Sequence, residues 1–101
     1  MPRVSIIVLT YNSDPAKLRA TLAAAALQQG VSVELIISDD GSVRKDFSFL
    51  PDFFKNLGFT NWKLLENEEN RGTVANCCAG LNAASGEYVF LTSAGDILYD
   101  H

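Results

Sequence analysis

The feature that most constrains this chain is the run Arg3–Thr10, RVSIIVLT, in which Val4 and the unbroken Ile6, Ile7, Val8 and Leu9 are separated only by Ser5, without regular polar alternation. A strand with one wetted face alternates apolar and polar side chains. This run does not, so it predicts a strand covered on both faces, as in a parallel sheet sandwiched between helices. It is too short to cross a bilayer, and the N-terminus lacks the charged, apolar and cleavage regions of a signal peptide.

The rest of the chain supplies the covering layers. In "SDP", Ser13 or Asp14 serves as N-cap and Pro15 fills the first turn, where its missing N–H costs nothing. The helix is predicted to run from about Pro15 to Gln29, with Leu18, Leu22, Ala25 or Ala26, and Gln29 on one face and Gly30 as a left-handed cap. A second strand is expected over Val33–Ser38, a short helix from Pro51 to Leu57, and a third strand over Asn61–Asn67. A further helix follows from Thr73, a candidate N-cap, to about Ala84, with Val74, Cys77, Cys78 and Leu81 at helical spacing. A fourth strand, Glu87–Thr92, ends the series. Phe47, Leu50, Phe53, Phe54 and Leu57 are read as covering a sheet face, and Trp62 and Tyr88 as packing residues.

Alternation of strand and helix with short turns gives right-handed crossovers and an α/β class: a Rossmann-like, mostly parallel sheet with flanking helices, strand order 3-2-1-4. The 101 residues, 48% hydrophobic, suit one small domain. The net charge of −4, with Lys and Arg scattered, leaves no basic stripe for nucleic acid. Cys77 and Cys78 are adjacent, cannot staple distant parts of the fold, and read as reduced, packed thiols. The chain is expected to be cytoplasmic, any membrane association being left to regions outside it.

The polar chemistry gathers where strands end. "TYNSD" follows the first strand, "SDDGS" the second and "TSAGD" the fourth. In "LIISDDGS", Asp39 and Asp40 are neighbours, and two carboxylates about 4 Å apart repel by roughly 1 kcal/mol even in bulk water. Taken alone, Asp-Asp-Gly-Ser is also a good turn. In open α/β sheets, however, ligands sit beyond the carboxyl ends of the strands at the point where strand order reverses. Acidic groups converging there can hold a magnesium or manganese ion, or accept hydrogen bonds from a base or ribose. Neither G-x-G-x-x-G nor G-x-x-x-x-G-K is present, so a diphosphate would rest on a metal, on Arg71, or on both.

The blocks "VSIIVLTYN", "ELIISDDGS", "ENRGTVANCCAGLNAASGEYVFL" and "SAGDIL" resemble, in order and spacing, family 2 glycosyltransferases of the GT-A fold. The resemblance implies that Thr10, Tyr11 and Asn12 line a nucleobase pocket. It implies that Asp39 accepts from the base N3–H, and that Asp40 and Ser42 support ribose or loop contacts. Arg71 would reach base or phosphate, and Gly72 and Asn76 would pass beside the donor, Asn76 having a cap or packing role as its alternative. Asp96 would bind a divalent metal, magnesium or manganese, bridging the diphosphate of a nucleotide-sugar donor. His101 reads as a solvated tail.

Two departures stand out. Family members usually carry Asp-x-Asp where this chain has Ser93 and Gly95, and Arg-Asn where it has Cys77 and Cys78. The resemblance implies sugar transfer with inversion to a carbohydrate or lipid-linked acceptor, the base lying beyond His101. Residues 1–101 are therefore expected to be the donor-binding part of a larger domain, inactive alone, with an exposed sheet edge that favours a homodimer. The competing reading is a catalytically inactive nucleotide-binding or assembly module. A phosphoacceptor receiver fits less well, because there the acidic pair follows the first strand and a Lys ends a later one.

Overall fold

The structure, a computed structural model, describes residues 3–11, 14–39, 41, 47–66 and 73–93, the side chains of 73–77 excepted. The order is β1 (Arg3–Thr10), α1 (Pro15–Ala26), β2 (Ser32–Asp39), α2 (Leu50–Leu57), β3 (Trp62–Glu66), α3 (Thr73–Ala83) and β4 (Tyr88–Ser93). All strand pairs are parallel and the sheet order is β3-β2-β1-β4, as the sequence predicts.

Register separates the two faces. Val4, Ile6 and Val8 stand opposite Val33, Leu35 and Ile37, and these six join Leu18, Leu22 and Ala25 of α1 and Leu50 and Phe54 of α2 in one core cluster. The aromatic stretch closes its β3 end: Phe47, Phe53 and Leu57 pack against the cluster, and Phe54 meets Trp62 at 5.0 Å between ring centroids. The opposite face carries Ile7 and Ile36, both fully buried, under α3, which packs on β1 and β2. Gly80 makes that approach possible, since a Cβ there would lie 2.5 Å from the Ile7 Cγ2.

Several boundaries differ from expectation. Asp14, not Ser13, is the N-cap of α1, its carboxylate accepting from the Lys17 amide at 3.1 Å. The helix stops at Ala26 instead of Gln29: the Leu27 amide makes a last helical bond to Ala23 O, and Ala24 O is taken by the Gln28 side-chain amide at 3.0 Å. Gln29 is therefore exposed, Thr21 takes its place on the buried face, and Gly30 keeps its left-handed φ of 79° beyond the helix. Helix α2 ends as a glycine cap should, with Gly58 at φ 70°.

Packing corrects the sequence reading at three further residues. Leu81 and Tyr88 are exposed, and so is Cys78, whose thiol is free. Helix α3 turns its small residues, not Leu81, to the sheet. Among the described residues no helix covers strand β4, and Tyr88, Val89, Phe90 and Leu91 are all at least 41% exposed.

One polar knot ties β4 to the rest. At the start of the sheet Ser5 stands opposite Glu34, and its hydroxyl donates to the Glu34 carboxylate at 2.8 Å. The same carboxylate accepts from the Ser85 amide at 2.9 Å and the Ser85 hydroxyl at 3.1 Å, and pairs with Lys63 Nζ at 3.3 Å. Desolvation alone would raise the Glu34 pKa, but the hydrogen bonds from the Ser85 amide, Ser5, Lys63 and the Ser85 hydroxyl outweigh it and hold it at about 2.

Two outcomes follow from this packing. Gly80→Ala should destabilise the fold by about 1 kcal/mol in urea denaturation, overpacking against Ile7 exceeding the helix-propensity gain. The penalty should shrink in an Ile7→Ala background, where the clashing methyl is gone. Because the Glu34 pKa is depressed from 4.5 to about 2, its stabilisation is full above about pH 4.5 and lost as pH falls toward 2. The stability gap between wild type and Glu34→Gln, measured by denaturation from pH 6 to pH 2.5, should therefore narrow on acidification; a constant gap would contradict the assignment.

Candidate donor-binding site

Parallel pairing sends every strand out at the same end. There the register sets Thr10 beside Asp39 and Asp39 beside Glu66, while the preceding row holds Ser93, Leu9, Ser38 and Leu65. Adjacent strands lie about 4.8 Å apart, so Thr10 and Asp39 are immediate neighbours on one rim. Both are buried, Asp39 completely. Burial of a carboxylate in a strand otherwise built from Leu35, Ile36 and Ile37 requires polar partners; Thr10, Ser38 and Asp39 are each held by further interactions within the fold.

By strand alternation Thr10 and Asp39 continue the rows of Val8 and Ile37, facing the side of α1 and α2. Tyr11, the first residue past β1, is 46% exposed at the same rim. Gly41 follows with φ 72°, the left-handed turn expected of the Asp-Asp-Gly-Ser segment. Of the residues the sequence singles out, the structure thus brings together Thr10, Tyr11 and Asp39. Ser93, which ends β4, points the fourth strand at this rim as well.

Asn12, Asp40, Ser42, Arg71, Gly72, Gly95, Asp96 and His101 lie outside the described residues, and Asn76 is described only as part of the α3 backbone. Among the described residues no group of three His, Cys, Asp or Glu side chains could hold a metal ion. A cation at this rim would need further oxygens, which hard divalent cations commonly take from phosphates of a bound ligand.

A second concavity of about 400 Å³ lies between α1 and β4, lined by Val4, Ile6, Ala25, Val31 and Phe90 among others. It is apolar and sits toward the start of the strands, away from the rim. The Ser5–Glu34–Ser85 knot also lies at that far end. Sequence reading passed over it, although Ser5 and Glu34 interrupt otherwise apolar strands and that signal was visible.

The comparisons agree with this geometry. The family model described as glycosyl transferase family 2 matches residues 5–100. The chain is 30% identical over 96 residues to the succinoglycan biosynthesis protein ExoO of Rhizobium meliloti (strain 1021), covering 95% of this chain and 26% of that protein. Among solved structures it is similar to mannosyltransferase PcManGT from Pyrobaculum calidifontis in complex with GDP-Man and Mn2+, with TM-score 0.77 and 27% identity over 92% of this chain and 27% of the other. It is also similar to S. aureus TarS 1-349 in complex with UDP-GlcNAc, with TM-score 0.70 and 26% identity over 91% of this chain and 26% of the other. The chain spans about a quarter of the length of these relatives. A parallel 3-2-1-4 sheet, an acidic rim at its reversal point and a family match over nearly every residue lead to one conclusion: the chain belongs to glycosyl transferase family 2 and has the α/β fold of its GT-A members.

Proposed function

We propose that residues 1–101 form the donor-binding part of a cytoplasmic enzyme that transfers a sugar from a nucleoside-diphosphate sugar to an acceptor hydroxyl with inversion. The observation that carries this reading is the fully buried Asp39 beside Thr10 at the rim where the sheet reverses. Structural relatives solved with GDP-Man and with UDP-GlcNAc support it.

In this reading the Asp39 carboxylate accepts a ring N–H of the base, with Thr10, Tyr11 and Asn12 forming the pocket wall and Asp40 meeting the ribose. Asn76, Gly72 and Arg71 border the donor, Arg71 facing the anionic diphosphate. A divalent cation held by Asp96 would supply Lewis-acid stabilisation of the leaving diphosphate. The PcManGT complex with Mn2+ supports such an ion. No residue of this site is assigned as the base that takes the acceptor proton. The likeness to a succinoglycan biosynthesis protein supports a polysaccharide as product.

A second reading has its own observation. Ser93 ends β4 where most family members carry the first carboxylate of the metal motif, so the chain would keep the fold and the nucleotide pocket and lack the metal chemistry.

Calorimetric titration of GDP and UDP, with and without manganese, separates the two. Asp39→Asn should weaken nucleotide binding about 10- to 100-fold in both conditions, the loss expected for a hydrogen bond to a charged group. Asp96→Asn should leave metal-free binding intact and abolish the gain from manganese. Nucleotide binding indifferent to manganese in the unmodified chain would favour the inactive module, and no nucleotide binding would defeat both.

A further inference from the structure

The turn before β4 is fixed to the sheet by three consecutive residues. Ser85 donates to Glu34 from its amide and its hydroxyl. The Gly86 amide donates to the Ser5 hydroxyl at 2.8 Å, and the Glu87 amide donates to Arg3 O at 2.8 Å. Gly86 is required at this approach, because a Cβ there would lie 2.6 Å from the Ser5 amide nitrogen. Lys63 of β3 closes the knot from the other side, pairing with Glu34 and donating to Ala83 O at 3.4 Å.

Among the described residues, the remaining hold on β4 is its backbone pairing with β1. Its side chains are exposed on both faces, so side-chain packing contributes little to its alignment on β1. A slip of one residue would turn each β4 side chain to the opposite face and move its end by about 3.3 Å. That end matters, since Ser93 stands opposite Leu9, one row before the Thr10–Asp39 rim.

We infer that Glu34 is a positioning residue: by clamping Ser85 and Ser5 it sets the register of β4 and thereby places Ser93, three residues before Asp96 in the sequence, at the row next to the Thr10–Asp39 rim. Ser5 lies five residues before Thr10, about 16 Å along the strand, so Glu34 touches no ligand there. The inference rests on the donor-site reading only for its effect on binding; the effect on β4 stands without it.

Hydrogen exchange on the full chain tests the clamp directly. In Glu34→Ala the Val89–Thr92 amides should exchange about tenfold faster while those of Leu35–Ile37 keep their protection, the pattern of a local opening. Glu34→Gln, which retains one acceptor oxygen, should fall between Glu34→Ala and wild type, and it decides the matter if the alanine variant does not fold. Unchanged β4 exchange, or an equal acceleration in every strand, would overturn the inference. In titrations of GDP, Glu34→Gln should reduce the gain from manganese several-fold and leave metal-free affinity unchanged, the split that a general loss of stability would not produce. If the wild-type chain bound no nucleotide, the donor-site reading would fail while the exchange result still judged the clamp.

Discussion

Everything in this molecule depends on β1 being shielded on both faces and paired along both edges. Ile7 and Val8 are wholly out of water, and β2 and β4 flank the strand on either side. Buried backbone groups must find partners, and here the sheet supplies them, leaving the strand no polar outlet except at its two ends. Polar chemistry is therefore driven to the ends, and the two ends have taken different tasks.

At the start of the sheet the polar groups satisfy one another. Glu34, 12% exposed, is surrounded by donors from β1, β3 and the turn after α3. At the other end Thr10, Tyr11 and Asp39 gather where the strand order reverses. Under the donor-binding proposal, a nucleoside diphosphate arriving there would meet a chain of net charge −4. Local positive charge would then have to offset that repulsion, whether from a cation or a guanidinium, because the overall field gives no help.

Much of this was legible in the residues. Largely apolar strands gave the parallel sheet and its order, and Asp-Pro marked the start of α1 through its own backbone chemistry. What escaped was decided by tertiary packing. Leu81 has helical spacing for a core face, yet Gly80 lets α3 approach Ile7 so closely that the small side of the helix wins. Tyr88 read as a packing residue because it sits in an apolar strand, but only neighbouring elements determine whether such a strand is covered. Glu34 drew no reading at all, because its partners at Ser85 and Lys63 are 51 and 29 residues away. Of the site, Thr10, Tyr11 and Asp39 could be placed together from strand ends alone; the roles of Asn12, Asp40, Arg71, Gly72, Asn76 and Asp96 rest on family likeness.

The central place of β1 also dictates an order of assembly. Strands β1 and β2 are joined by a single helix and can meet as soon as residue 39 is synthesised, whereas β4 begins at Tyr88. Loop closure across more than 80 residues is slow, and until it happens β1 carries an open hydrogen-bonding edge. The nascent chain thus holds its most apolar strand half-paired until Tyr88 and the residues after it have been made. That interval is when a stray strand from another chain could take the seat that β4 finally fills.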